Sequence, residues 1–152
     1  MVCPAWSDMP FDITTDAVFV ISSTPLSVRH ALREILRHPF MAHQSMAVRG
    51  NAEVVLAEIL NNIVKHAYAD ASGQIDLRLQ LRPYQLFCEI VDCGIAMPSN
   101  KLPEGLVQPT GVEHDLPEGG FGWFLIRSLT KNMVYRRVEN RNHLSFQLNF
   151  EQ

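Results

Sequence analysis

The most informative segment of the chain is Glu58-Ile59-Leu60-Asn61-Asn62-Ile63-Val64-Lys65-His66-Ala67. It lies within a longer segment, 44–69, whose apolar residues recur at the spacing of one helical face, which predicts an amphipathic helix. Glu58, Asn62 and His66 follow one another at four-residue intervals, so the helix would carry a carboxylate, an amide and an imidazole on one stripe. Taken alone, such a stripe is more often a solvated helix face than a site, so its meaning depends on the segments around it.

Two glycine-containing segments further along the chain give this stripe its context. The first follows an apolar strand and reads Asp92-Cys93-Gly94-Ile95-Ala96-Met97-Pro98. A carboxylate there can accept a hydrogen bond from an exocyclic amino group, and the glycine lets the backbone turn close to a flat ring. The second reads Glu118-Gly119-Gly120-Phe121-Gly122-Trp123-Phe124-Leu125-Ile126 and opens a helix, whose free N–H groups and dipole favour phosphate oxygens. Each segment alone also fits an ordinary turn or helix start, and only the order of all three is specific.

The other segments predict a domain of mixed strands and helices with a long loop before its last helix. The loop 93–120 contains five of the eight glycines and four prolines, and a loop of this length in a small domain is usually functional or disordered. We interpret it as a lid over a ligand. The remaining periodicities and turn residues predict a strand over 11–22, a helix from Thr24 to His38, a hairpin with strands at 75–81 and 86–91, a helix from about Gly122, and a closing hairpin with strands at 133–138 and 143–150.

Composition argues against several classes of protein. The chain has 152 residues, a formal net charge of -3 and 47% hydrophobic residues, which is typical of one globular domain. Apolar runs reach only about five residues, far below the roughly 20 that span a bilayer, so no membrane segment or membrane partner is expected. The segment 1–12 lacks the features of a secretory signal, which predicts a cytoplasmic location. The three cysteines form no CxxC pair, which favours reduced thiols, and the lack of a basic run argues against direct nucleic-acid binding.

With its three segments in this order, the sequence resembles the GHKL superfamily of ATP-binding domains, which includes gyrase-type ATPases, a heat-shock chaperone, histidine kinases and mismatch-repair ATPases. Residues 58–67 resemble its N box, 92–98 its first glycine box and 120–126 its second. Within the superfamily the chain is most similar to the stand-alone anti-sigma-factor serine/threonine kinases. The resemblance implies an α+β fold: a two-layer sandwich of the Bergerat type, with a mixed, mainly antiparallel sheet covered on one face by about three helices. It also implies an ATP lid over about 95–119, and we expect a single domain over 1–152.

The resemblance implies catalytic roles for the N box. Glu58 is expected to be the general base that takes a proton from an attacking hydroxyl. Asn62 is expected to bind Mg²⁺ through its amide oxygen, while the neighbouring Asn61 is the rival and is disfavoured by the spacing from Glu58. His66 is interpreted either as a nucleotide contact or as a packing residue, and Lys65 receives no role.

The resemblance also implies which residues bind ATP. The expected nucleotide-binding set is Asn62, His66, Asp92, Gly94, Ala96, Gly120, Gly122 and Ser145. In this set Asp92 accepts the adenine N6–H, with Ser145 on the last strand as a candidate helper. The glycines of the second box present backbone N–H groups to the phosphates. The sequence departs from the family at Ala96, where a glycine is usual, and its lid carries four acids against the single Lys101, so we expect a modest catalytic rate.

By resemblance, the chain would be an ATP-dependent kinase that phosphorylates an anti-sigma antagonist protein and sequesters a sigma factor, and so regulates transcription. The alternative is a nucleotide-dependent protein-binding regulator with little phosphotransfer. A histidine kinase with His30 as its phosphoacceptor is disfavoured, because about 40 residues precede the main helix and a dimerisation hairpin would not fit there. A gyrase-like or chaperone ATPase is disfavoured because the chain ends after the domain. Homodimer formation stays open: the basic stripe Arg29, Arg33 and Arg37 fits a contact face or a solvated surface equally well.

Overall fold

The computed structural model describes residues 10–12, 14–105 and 120–150. The strands are β1 (Asp16–Ser22), β2 (Gln74–Arg82), β3 (Gln85–Asp92), β4 (Lys131–Val138) and β5 (Arg141–Asn149). The helices are α1 (Pro25–Arg37), α2 (Pro39–Ala42), α3 (Met46–Asn62) and α4 (Gly120–Leu129), with a π turn at Ile63–Ala67 and a 3-10 turn at Pro98–Asn100. No helix within these described ranges is both long and apolar enough to cross a membrane.

The five strands form one sheet in the order β1-β2-β3-β5-β4. Each of the four strand pairs in the described residues is antiparallel, so the sheet is simpler than the mixed one that was expected. Alternate residues of the strands face the helices and are buried, among them Ile75, Leu77, Leu79, Leu86, Cys88, Ile90, Leu144, Phe146 and Leu148. The core cluster joins these side chains to buried residues of α1, α3 and α4, which confirms the predicted α+β sandwich.

The first strand is shorter than predicted. The expected strand over 11–22 begins only at Asp16, because a turn precedes it: the Asp12 carbonyl accepts from the backbone N–H groups of Thr15 and Asp16, at 3.0 and 2.7 Å. The following helix agrees with its sequence signals. The Thr24 hydroxyl oxygen accepts from the Ser27 N–H at 3.1 Å, which caps the first turn of α1.

The predicted helix over 44–69 is real, but its last turn is not α-helical. The α3 helix ends at Asn62 and continues as the π turn, in which the Tyr68 N–H donates to the Ile63 carbonyl, five residues earlier, at 3.1 Å. A π turn holds more residues than an α turn, so the four-residue spacing no longer stacks His66 directly over Asn62. The turn also frees the Ala67 carbonyl, which accepts from the Ile95 N–H at 2.9 Å and joins the helix end to the loop after β3.

The last helix begins two residues earlier than predicted, at Gly120 rather than near Gly122. Most of the expected lid, 106–119, lies outside the described residues. Its first part is described: the Arg127 guanidinium donates to the Pro103 carbonyl at 3.1 and 3.2 Å, which ties this part of the loop to α4.

Candidate nucleotide-binding site

A cavity of about 380 Å³ lies between the end of α3, the loop after β3, the first turns of α4 and the β4–β5 hairpin. Its volume is within the range of small-molecule sites, roughly 300–1,000 Å³. Four of the predicted site residues line it: Asn62, His66, Asp92 and Ala96. The walls are mostly apolar, with Ile59, Ile63, Trp123 and Leu144 among them. The structure therefore brings the N box and the first glycine box to one concave, largely apolar site.

Asp92 presents one carboxylate oxygen to this cavity. The residue is 4% exposed, and its Oδ1 accepts from the Gly94 N–H at 2.9 Å and from the Asn142 amide at 2.8 Å. No other described residue donates to the carboxylate, which leaves Oδ2 as an acceptor. Burial raises the pKa of the carboxyl, and the hydrogen bonds from Asn142 and Gly94 offset part of that effect. A buried acceptor of this kind in an apolar cavity suits an N–H donor on a flat ring.

Gly94 is required by a close approach between two segments. A Cβ at this position would lie 2.6 Å from both the Cβ and the carbonyl oxygen of Ala67 in the π turn. The glycine therefore lets the loop after β3 pack directly on the end of the helix. Its expected role toward a nucleotide stays a prediction.

Asn62 lines the cavity with its amide. Its Nδ2 is buried and has no hydrogen-bond partner among the described residues. Because the nitrogen is the buried atom, the amide as placed leaves the oxygen Oδ1 as the atom available to a ligand. Asn61 is exposed and is not among the residues that line the cavity, so the position fits Asn62 better than its rival. The donor set at this position fits a phosphate-bound Mg²⁺ or a polar ligand atom.

Glu58 lies beside the cavity, against the start of α4. A Cβ on Gly122 would be 2.5 Å from Glu58 Oε2, so the second glycine box makes room for this carboxylate. The first turn of a helix offers backbone N–H groups that attract carboxylates and phosphates alike. For Gly120 only the helical backbone is described, so its expected role toward the phosphates stays a prediction.

Comparison with known proteins agrees with this geometry. Residues 21–148 match the family described as histidine kinase-like ATPase domain, a range that contains all three boxes. The chain belongs to this family. A histidine kinase-like ATPase domain uses a nucleotide, which agrees with the cavity and with the expected superfamily.

Curated relatives of this ATPase domain include the serine-protein kinases RsbW of Bacillus thuringiensis (strain Al Hakam) and Bacillus cereus (strain AH820). Each is 34% identical to the chain over 82 residues, which is 51% of this chain and 49% of the relative. The chain therefore spans about half the length of the curated relatives it matches. The similarity to serine-protein kinases confirms the resemblance to the anti-sigma-factor serine/threonine kinases that was identified from the sequence.

The structure does not bring Ser145 to the cavity of this ATPase domain. Ser145 pairs with Glu89 of β3 and lies on the face of the sheet away from the helices, because successive strand residues point to opposite faces. Asn142 faces the cavity instead, directly opposite Asp92 in the β3–β5 register. Sequence reasoning missed it, although a polar residue that alternates with Leu144, Phe146 and Leu148 was a usable signal.

The remaining predicted contact, His66, lines the cavity but is exposed at its edge. Both of its interpretations therefore remain open. Within the described part of this ATPase domain, no three His, Cys, Asp or Glu side chains could hold a metal ion together. A cation at this site would depend on Asn62 and on oxygens of the nucleotide.

Proposed function

We propose that this chain is a cytoplasmic, ATP-dependent serine/threonine protein kinase that acts as an anti-sigma regulator and phosphorylates an anti-sigma antagonist protein. The observation that carries the proposal is the mostly apolar cavity that Asp92 lines with a carboxylate and Asn62 with an amide. The membership in the ATPase family and the similarity to serine-protein kinases support the choice of a kinase. The anti-sigma role rests on the resemblance of the three boxes.

The chain's own residues would bind and orient the nucleotide. Asp92 Oδ2 accepts the exocyclic N–H of adenine, and the apolar walls exclude water from the base. The amide oxygen of Asn62 holds Mg²⁺, a hard cation that neutralises charge on the phosphates when it is bound. The backbone N–H groups at the start of α4 face phosphate oxygens.

Glu58 would act on the protein substrate. It takes the proton of a serine or threonine hydroxyl on the antagonist as that oxygen bonds to the γ-phosphorus. The bond between the γ-phosphorus and the bridging oxygen breaks, and ADP leaves with the electron pair. The products are a phosphorylated antagonist, ADP and a proton on Glu58.

The partners would be the antagonist, which accepts the phosphate, and a sigma factor that the chain holds in a partner switch. The exposed arginines of α1, Arg29, Arg33 and Arg37, are the candidate docking surface for an acidic segment of such a protein. The same surface is the candidate for a homodimer contact.

A second candidate function is a nucleotide-dependent regulator with little phosphotransfer. It is favoured by the position of Glu58, which lies against α4 and is not among the residues that line the cavity. It is also favoured by Ala96 in place of the usual glycine.

Glu58→Gln separates the two functions. If the chain is a kinase, the variant keeps its Kd for Mg-ATP within about threefold and loses at least about 100-fold in phosphate transfer, because only the proton acceptor is removed. The measurement is the transfer of labelled γ-phosphate to an anti-sigma antagonist from the same genome, with calorimetry for the Kd. Glu53→Gln, an exposed residue of the same helix, is the matched control. ATP binding without any transfer by the wild type would instead support the second function. Equal transfer by wild type and Glu58→Gln would leave the chain a kinase but would overturn the role of Glu58 as the base.

A further inference from the structure

Side chains of the β4–β5 hairpin donate hydrogen bonds to the end of β3 and to the loop that follows it. The Asn142 amide donates to Asp92 Oδ1 at 2.8 Å and to the Ile95 carbonyl at 2.9 Å. The Arg137 guanidinium donates to the Gly94 carbonyl at 2.6 Å. These contacts join a hairpin to a loop about 40 to 50 residues earlier in the chain. One of them, from Asn142, is made to the carboxylate of Asp92, which lines the cavity.

The amide of Asn142 uses all of its hydrogen-bonding capacity. Its nitrogen donates to Asp92 Oδ1 and the Ile95 carbonyl, with a longer contact of 3.5 Å to the Gly94 carbonyl. Its Oδ1 accepts from the Tyr135 hydroxyl at 2.7 Å and from Arg137 at 2.8 Å. The partners of the amide oxygen are donors and the partners of the amide nitrogen are acceptors, so the amide has a single favourable orientation. Because Asn142 is 5% exposed, bulk water does not compete for these bonds.

The chain of bonds also fixes the direction of each donor. The Met97 N–H donates to the Tyr135 hydroxyl oxygen at 3.0 Å, so the Tyr135 proton points to Asn142 and the Asn142 amide proton points to Asp92. Tyr135 and Asn142 therefore connect the two ends of the loop, Asp92 and Met97, through side chains alone. Both ends line the same cavity.

We propose that Asn142, held by Tyr135 and Arg137, is a positioning residue that turns the Asp92 carboxylate so that only Oδ2 meets the bound base. The inference rests on the proposed nucleotide site and names a determinant of its base specificity. Oδ1 already accepts from Gly94 and Asn142, so a single acceptor remains, in a fixed direction. A base that places an N–H group next to Oδ2 pairs with it and binds more tightly. A base without a donor at that position leaves this carboxylate oxygen unpaired and binds more weakly.

Asn142→Ala tests this role through nucleotide preference. The probes are ATP and purine riboside triphosphate, which lacks the exocyclic amino group, each with Mg²⁺ and measured by calorimetry. The wild type should bind ATP at least about fivefold more tightly than the analogue, since one buried acceptor is paired only by ATP. In Asn142→Ala the carboxylate is free to turn, so ATP should bind about tenfold more weakly and the analogue less than about twofold more weakly. Asn149→Ala, an exposed position of the same strand, should keep the wild-type preference.

A second pair of variants keeps the test decisive if Asn142→Ala does not fold, which thermal unfolding will show. Tyr135→Phe removes only the hydroxyl that bridges Met97 and Asn142, and Tyr84→Phe at an exposed turn is its control. The Tyr135→Phe preference for ATP should fall by at least about twofold, with the control unchanged. An unchanged preference in the variant that folds would overturn the positioning role while leaving the ATP site intact. A wild type that binds neither nucleotide would overturn the proposed site itself.

Discussion

At the scale of single residues, Asp92 is the group whose ionisation matters most for this site. It is buried, it lies at the end of β3, and burial raises the pKa of its carboxyl although Asn142 and Gly94 donate to it. The folded protein therefore keeps a carboxylate where ionisation is costly. Such a cost is expected at a ligand site, because it is offset when the ligand supplies a donor to the carboxylate.

The raised pKa predicts a pH dependence of stability in the absence of nucleotide. The carboxyl binds its proton more tightly in the folded than in the unfolded protein, where its pKa is about 3.9. Its contribution to the free energy of unfolding is thus fully present below that value and is lost as the pH rises through the raised, folded-state pKa. The free energy of unfolding of the wild type should therefore fall relative to that of Asp92→Asn as the pH rises from the unfolded-state pKa through the raised, folded-state pKa.

Urea unfolding of both proteins at a series of pH values measures this difference. Titrating groups that do not interact with Asp92 cancel in the comparison; His143 is an exception, because the charge of Asp92 opposes the lowering of its pKa. A difference that is constant with pH, or that changes in the opposite direction, would show that Asp92 has an ordinary or lowered pKa in the folded state.

At the scale of elements, the end of α3 organises the site because the π turn that follows it is hydrogen-bonded to the loop after β3 through the Ala67 carbonyl. The turn places Ala67 against Gly94, so the N box and the first glycine box are in van der Waals contact. On the other side of α3, the Glu58 carboxylate occupies the space that a side chain at Gly122 would need. The helix thus contacts both glycine boxes, and each contact depends on a missing Cβ.

Gly122→Ala should separate catalysis from binding. The added Cβ would lie 2.5 Å from Glu58 Oε2, so the carboxylate must move. We expect phosphate transfer to fall at least about tenfold and the Kd for Mg-ATP to change by less than about fivefold, because a displaced base lowers the rate more than the affinity. Gly50→Ala on α3, where the new Cβ meets nothing within 4 Å, is the control and should leave transfer unchanged. A parallel loss of transfer and binding would mean that Gly122 serves the phosphates rather than Glu58.

Local signals predicted most elements but not the π turn. Thr24 and Pro25 mark the start of α1 directly, because capping chemistry is local to the residues that make it. The segment 63–67 carries the same apolar spacing in an α-helix and in a π turn, so the sequence cannot distinguish them. The difference comes from the packing of Ala67 against the loop after β3, which is a tertiary contact.

At the scale of the whole molecule, the order of the three boxes was sufficient to predict an α+β sandwich, because the resemblance covers most of the chain. The register between β3 and β5 was not predictable, since Asp92 and its partner Asn142 lie 50 positions apart in the sequence and no local rule sets the offset between such strands. The face of each residue was predictable, because Asn142 alternates with the apolar Leu144 and Ser145 does not, but the position of Asn142 directly opposite Asp92 was not. Four of the predicted site residues nevertheless line one cavity.

The most direct measurement is the thermal unfolding midpoint of the wild type and of Asp92→Asn, each with and without the same concentration of Mg-ATP, set at about 100 times the Kd of the wild type. Linkage then predicts a gain of roughly 2.7 kcal/mol, or on the order of 5 to 10 °C, for the wild type. The variant lacks the carboxylate that we propose as the acceptor of the adenine N–H, so its midpoint should move by less than half as much. No shift for the wild type at millimolar Mg-ATP, or the same shift in both proteins, would contradict the account.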